Sequence, residues 1–248
     1  VIGQSGTGKK RLLRQLVLMS NRSFNFIKVE GKATSQRYEG SSWNDLRQAL
    51  EKLGDEMGIS LLEEEDDLIS VWNQLQGLSK EKPLLILLEN AQWIDAVSLE
   101  KVKQLEERRN QEKWQLIFTA EEPLPASFVN FLGSLKVEKR LSQLELTNFD
   151  PSESRALLKG ELGAIEPAVM EQMVEWSEGS PFLLSSYIEE WKENENLEPL
   201  PDIIQAYLSQ ELGDMGSEEE ALLHYLSCFH KPISLSILAE LTATELPV

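Results

Sequence analysis

Val1-Ile2-Gly3-Gln4-Ser5-Gly6-Thr7-Gly8-Lys9-Lys10 decides the fold of this chain. A short apolar strand end runs into Gly3-x-x-x-x-Gly8-Lys9. Leu12, Leu13, Leu16 and Val17 then recur at helical spacing and predict a helix over 9–20. Glycines in such a turn let successive backbone amides point inward around a phosphate, and the following helix N-terminus adds its dipole. Lys9 would reach the distal phosphates as a point charge. The bland alternative is a glycine-rich turn before a helix; a strand on one side and a helix on the other favour the phosphate loop. The residues expected to hold the anion are Gly3, Gln4, Ser5, Gly6, Thr7, Gly8, Lys9, Lys10 and Arg11.

One position departs from the pattern. A Ser or Thr hydroxyl should follow the lysine and ligate Mg²⁺, and here the residue is Lys10. An ammonium cannot ligate a cation. If Lys10 points inward it neutralises phosphate charge in place of the metal; if outward, the site lacks one ligand.

Charge distribution supports a local anion. The 248 residues carry 24 Lys and Arg against 42 Asp and Glu, a net charge of −18. Residues 1–60 nonetheless hold ten basic against six acidic side chains, whereas residues 61–248 hold 14 against 36. An acidic protein of this kind is expected neither to bind nucleic acid nor to attach to an anionic membrane. No apolar run approaches the roughly 20 residues needed to cross a bilayer, and a single cysteine, Cys228, excludes an internal disulfide framework. With no targeting segment, the expected location is the cytoplasm. The missing initiator Met reads as a piece of a longer protein.

The remaining pattern is α/β. Strands are predicted at 24–30, 83–88, 114–119 and 137–146, with helices over 43–57, from the acidic run Glu63–Asp67 to about 78, and over 96–109. Pro83-Leu84-Leu85-Ile86-Leu87-Leu88 is apolar without alternation, as expected of a strand covered by helices on both faces of a parallel sheet. From Asp150 the strands stop, and helices are predicted at 151–161, 167–178, 181–193 and 201–211. A linker over 213–216 and short helices at 217–229 and 234–241 follow.

The buried strand ends in Leu88-Glu89-Asn90-Ala91-Gln92-Trp93-Ile94-Asp95. An apolar strand, two polar residues and Ala-Gln-Trp-x-Asp resemble the Walker B region of the STAND NTPases, signal-transduction ATPases related to the AAA+ class. Gly3 to Leu16, Tyr38 to Leu53, Leu116 to Thr119, Leu144 to Leu158 and Gly179-Ser180-Pro181-Phe182 are similar to further parts of that family. The resemblance implies a P-loop NTPase core with a three-layer αβα parallel sheet over 1–148, an all-α lid over 149–213, and the truncated start of a winged-helix domain over 214–248. It implies ATP or ADP as ligand, with Pro181 near the adenine, and other domains, protein partners or an oligomer as the receivers of the signal.

The departures from the family bear on hydrolysis. The two residues after the apolar strand are usually acidic, the first assisting Mg²⁺ and the second activating water. Here they are Glu89, which could still hold a metal, and Asn90, which could orient a water without taking its proton. Thr119-Ala120-Glu121-Glu122 places acid where a sensor arginine is usual. The expected protein is an ATP/ADP-binding regulatory switch with weak or absent hydrolysis, a pseudo-ATPase. Its rivals are a working ATPase using Glu89 and a nucleotide-free scaffold.

Other features are expected to be structural. Asp95 suits a helix N-cap. Gly179-Ser180-Pro181 also fits a plain helix stop and restart. His224, Cys228 and His230 lack a fourth ligand at metal spacing. Arg108 and Arg109 read as a solvated helix end, and the six scattered tryptophans as core.

Overall fold

The computed structural model describes residues 1–34, 37–59, 67–109, 112–197, 200–213, 216–227 and 234. The first part of the chain alternates strand and helix: β1 (Ile2–Gly3), α1 (Lys9–Ser20), β2 (Asn25–Glu30), α2 (Ser41–Met57), α3 (Asp67–Leu78), β3 (Leu84–Glu89), α4 (Ala96–Arg108), β4 (Trp114–Phe118), β5 (Ala120–Glu121), α5 (Ala126–Val137) and β6 (Glu145–Leu146). Helices alone follow: α6 (Pro151–Leu162), α7 (Pro167–Ser177), α8 (Pro181–Asn194), α9 (Asp202–Gly213) and α10 (Ser217–Ser227).

All strand pairings are parallel: β2 with β3, β3 with β4, β5 with β1, and β1 with β6. Thr119 joins the two triplets. Its N–H donates to Leu88 O at 2.9 Å, while the next N–H, that of Ala120, donates to Val1 O at 3.0 Å. The chain from Trp114 to Glu121 thus changes partner at Thr119, and the strands run in the order β2, β3, β4–β5, β1, β6. Apart from the direct step from β4 to β5, every connection between these strands is a crossover, so their carboxyl ends share one edge. The register sets Glu30 beside Glu89 and Gly3 beside Glu121 there.

Burial of β3 explains its unbroken apolar run. Leu84, Ile86 and Leu88 face a large cluster with Trp43, Leu46 and Leu50 of α2, Val71, Leu75 and Leu78 of α3, and Leu99, Val102 and Leu105 of α4. Leu85 and Leu87 face the other way, against Leu13, Leu16 and Val17 of α1. Helices cover both faces, which makes three layers. The last helices gather round a separate cluster of Leu158, Met173, Leu184, Tyr187, Ile188, Leu197 and Ile204. Its first helix begins with a full capping box, in which Asp150 accepts from Ser152 and Glu153 N–H while Glu153 accepts from Asp150 N–H.

The expected strand over 137–146 is corrected. Val137 ends α5, and only Glu145–Leu146 is extended and paired. Between them Leu141 packs into the main core and Arg140 donates to the carbonyls of Glu106 and Arg109, so the segment is anchored as a loop. The helix Ala126–Val137 has no counterpart in the sequence reading. Phe128, Phe131 and Leu135 face the core, but exposed Val129 and Val137 blur the stripe. Gly213 closes α9 and is no linker. The expected helix over 234–241 and the acidic run before Asp67 lie almost wholly outside the described residues, as do Cys228 and His230.

Candidate functional site

The phosphate loop leaves β1 at Gly3 and turns at Gly6, where φ is +76°, a conformation glycine adopts without strain. Gly8 (φ +92°) is the residue before α1, whose first turn has neither a side-chain cap nor an acidic residue. Three cations, Lys9, Lys10 and Arg11, stand instead at the positive end of the helix dipole. That arrangement is unfavourable unless an anion is held there. Thr7 is buried beneath the loop and donates from Oγ1 to Gln4 O at 2.9 Å.

Lys9 is only 9% exposed and folds under the loop, donating to Gly3 O at 2.8 Å and Gln4 O at 2.7 Å. Glu121 Oε2 stands 3.7 Å from its ammonium. Burial pushes the lysine pKa down, against the opposing pull of Glu121 and Glu122. Lys10 points along the strand ends and donates to Glu30 Oε1 at 2.9 Å. This bond raises the Lys10 pKa and lowers that of Glu30.

Asn90 meets the same oxygen. Its Nδ2 donates to Glu30 Oε1 at 3.1 Å, and its N–H donates to Thr119 Oγ1 at 3.3 Å. Its φ of +51° is one that asparagine tolerates better than most residues. Glu89 is buried, with Lys28 Nζ 2.9 Å from its Oε2, although not at a hydrogen-bonding angle. Gln92 Oε1 accepts from the Glu121 N–H at 3.1 Å and so fixes the acidic strand end beside Lys9.

A cavity of about 1010 Å³ opens over the loop. Ser5, Gly6, Gly8, Lys9, Lys10 and Arg11 form one wall and Asn90, Gln92, Thr119, Glu121 and Glu122 another. Pro181, Phe182 and Ser185 of α8 close a third side, and Trp93, Pro123 and Leu124 supply further apolar surface. Of the residues expected to touch the ligand, Gly3, Gln4 and Thr7 lie behind the loop and support Lys9 and the turn. Glu89 is not in the lining.

Trp93 and Glu30 are among the contributors that the sequence reading did not find. Trp93, expected in the core, is 38% exposed at the cavity. Glu30 carried no motif; only the parallel register brings it beside Glu89. Asp95 is the N-cap of α4, accepting from Ser98 N–H at 2.9 Å, and it also accepts from Gly40 N–H at 2.8 Å. Arg109 pairs with Glu106 and lies over the Trp114 ring, a structural placement.

These groups fit a nucleotide: an amide-lined loop, a helix N-terminus and three cations for the phosphates, and a partly apolar cavity for the rest. They fit Mg²⁺ poorly. Lys10 takes the place of the hydroxyl ligand and Lys28 neutralises Glu89. Among the described residues no group of three or more His, Cys, Asp or Glu side chains is arranged to hold a metal. No described helix is long and apolar enough to cross a membrane.

Comparison with known proteins agrees with this geometry. A family model described as an AAA domain matches residues 1–126. No curated protein matches significantly. Among solved structures, the ORC2 protein of Aeropyrum pernix in ADPNP–ADP complexes is 16% identical with a TM-score of 0.55; the match covers 97% of this chain and 71% of that one. A STAND protein with a tetratricopeptide repeat sensor from Pyrococcus horikoshii is 16% identical with a TM-score of 0.49, over 98% of this chain and 34% of that one. A structure of the Drosophila ORC bound to DNA is 19% identical with a TM-score of 0.40, over 86% of this chain and 49% of that one.

Proposed function

The chain belongs to the AAA domain family and has the αβα fold of a P-loop NTPase, and from this premise we propose that it is an ATP- or ADP-binding regulatory switch module with weak or absent hydrolysis. The observation that carries the reading is the pairing of a complete phosphate cradle with a disarmed neighbour: Gly6, Gly8, Lys9 and the bare α1 terminus face the cavity, while the position beside it is Asn90, bonded to Glu30. Phosphates would lie against the loop amides and Lys9, and the base toward Pro181 and Phe182. Asn90 cannot accept a proton from water, and loss of such a base costs on the order of 10² to 10⁴ in rate. Glu89, the carboxylate that ends β3 just before Asn90, is held by Lys28 outside the cavity lining.

The switch part of the reading rests on α8. Phe182 N–H donates to Gly6 O at 3.2 Å and Phe149 N–H to Gly179 O at 2.8 Å. A ligand in the cavity therefore touches both the core, taken as 1–148, and the helical lid, taken as 149–213, and its occupancy would set their relative position. Residues 214–248 would then begin a winged-helix domain. The receivers are other domains of the same polypeptide or protein partners, in an oligomer or alone, within the cytoplasm. With Lys231 the only basic residue after 217 in the sequence, this segment is not assigned to nucleic acid.

Calorimetric titration with ATP and ADP tests the proposal. Binding is expected, weakened by roughly tenfold or more in Lys9→Ala, as befits loss of a charge-assisted contact. No binding at millimolar nucleotide would leave the scaffold reading. Steady-state phosphate release is expected near background; sustained turnover abolished by Glu89→Gln would instead identify a working ATPase.

A further inference from the structure

Lys10 occupies the position of a metal-ligating hydroxyl, and the structure gives it one partner. Its Nζ donates to Glu30 Oε1 at 2.9 Å, and its side chain is 65% exposed beside the cavity. We propose that this site binds nucleotide phosphates without a divalent cation: Lys10 supplies the counter-charge, and Glu30 is the carboxylate that the phosphates displace from it. The inference rests on the nucleotide reading above and adds how the site recognises its ligand and what competes with it.

Three features support the assignment. A magnesium ion bridging distal phosphates needs an oxygen ligand after Lys9 and an available strand-end carboxylate. Here the first is an ammonium; of the strand-end carboxylates, Glu89 faces Lys28 outside the cavity lining and Glu121 stands 3.7 Å from the Lys9 ammonium. The positive charge the metal would bring is already present, since Lys9, Lys10 and Arg11 crowd the first turn of α1 with no acidic residue among them. Finally, each lysine is matched to one strand-end carboxylate, Lys9 to Glu121 of the neighbouring β5 at 3.7 Å and Lys10 to Glu30 of the more distant β2 at 2.9 Å.

The exchange is physically easy. A solvent-exposed ion pair of this kind is weak, because water screens it and two flexible side chains must be held in one geometry. A polyphosphate offers several anionic oxygens at a site where loop amides and the helix dipole already favour them. When Lys10 turns to the ligand, Glu30 keeps its second donor: Asn90 Nδ2 remains on the same oxygen at 3.1 Å. The carboxylate is thus retained at the strand ends instead of following the lysine, and it recaptures Lys10 when the nucleotide leaves.

The test is titration of the full chain with ATP and with ADP, once in magnesium and once in EDTA, read by calorimetry. Dissociation constants in the two media should agree within roughly threefold, the scale of a screened surface interaction. In EDTA, Lys10→Met, which keeps the aliphatic stem, should weaken binding roughly tenfold or more, the effect of a lost hydrogen bond to a charged group. Glu30→Gln should tighten it by roughly two- to fivefold. Lys10→Ser should bind better in magnesium than in EDTA. Tightening of the native chain by magnesium by roughly tenfold or more, or an unaltered Lys10→Met in EDTA, would overturn the inference while leaving the nucleotide reading in place. Absence of binding in both media would overturn both. Far-ultraviolet circular dichroism of each variant checks that it is folded.

Discussion

The N–H of Phe182 donates to the carbonyl of Gly6 at 3.2 Å, which ties the first turn of α8 to the phosphate loop. Gly6 also packs closely against the residues that begin α8. At φ +76° a Cβ would lie 3.0 Å from Ser180 Oγ and 3.2 Å from Phe182 Cβ. Gly6→Ala should therefore combine backbone strain of about 1–2 kcal/mol with displacement of α8. The expected result is a nucleotide affinity reduced by roughly tenfold or more, for each 1.4 kcal/mol lost. The melting temperature should fall as well, because the strain and the loss of contacts with α8 both act on the folded chain. Unchanged affinity would mean that the contact between α8 and the loop does not shape the site.

Asp95 makes the second prediction. This buried side chain accepts from Ser98 N–H and Oγ at 2.9 and 2.7 Å, Gly40 N–H at 2.8 Å and Ser42 N–H at 3.3 Å. It caps α4 and at the same time satisfies amides at the start of α2. In Asp95→Asn one acceptor oxygen becomes a donor facing a donor, which should cost about 1–3 kcal/mol in chemical denaturation.

The pH dependence follows from the same bonds. Burial pushes the Asp95 carboxyl up, but the bonds from Ser98, Gly40 and Ser42 outweigh it, and the net shift is downward. A carboxyl depressed in the fold contributes stability that is complete above its unfolded value of about 3.9. That contribution is lost as the pH falls through the lower folded value. The stability gap between the native chain and Asp95→Asn should be constant from neutrality to about pH 5 and shrink below about pH 4. A gap that narrows at higher pH would contradict this account.

Two glycines give opposite expectations. Gly179 turns the chain into α8 at φ +74°, and a Cβ there would overlap the carbonyl oxygen of Phe149, whose N–H donates to Gly179 O. Gly179→Ala should destabilise by about 1–3 kcal/mol and disturb the entry to α8. Gly133 lies within α5, and a Cβ there meets nothing within 4 Å. Gly133→Ala should raise stability by about 0.5–1 kcal/mol, since alanine restricts the unfolded chain and suits a helix. Thermal melts of the two variants should move in opposite directions.

What could be read before the structure was known is what local chemistry encodes. The loop, α1 and the doubly buried β3 each carry a signature within about ten residues, and each lies within a residue or so of its expected bounds. Asp95 as a helix cap was legible for the same reason. The missing pieces depend on contacts distant in sequence. Glu30 joins the site only because β2 pairs in register with β3, 60 residues from Asn90. Trp93 reaches the cavity from the short turn at Ala91–Trp93, whose direction no periodicity encodes. The change of partner at Thr119 requires β1 to lie beside β5. In α5, apolar residues on more than one face hid the helical stripe.

The final prediction concerns the bond between Asn90 Nδ2 and Glu30 Oε1, 3.1 Å long, with Lys10 on the same oxygen. Asn90→Asp alone replaces the donor by a second carboxylate against Glu30 and should be destabilising by about 1 kcal/mol, because it exchanges a hydrogen bond to a charged group for a screened repulsion. Glu30→Gln alone keeps an acceptor for Asn90 but removes the charge that holds Lys10. The double variant Asn90→Asp with Glu30→Gln restores one amide and one carboxylate at nearly unchanged volume, with donor and acceptor exchanged, and leaves Lys10 an anion to meet. It should be more stable than Asn90→Asp, with a coupling energy between the two substitutions of about 0.5–3 kcal/mol in a double-mutant cycle read by urea unfolding. Additive effects would show that the strand ends are not joined energetically through this pair. The same double variant places a carboxylate at the position where the family uses one to activate water. Hydrolysis should nonetheless stay near background in it, because Lys10 still stands where a metal ligand is required; phosphate release well above the native chain would show that the base alone was missing.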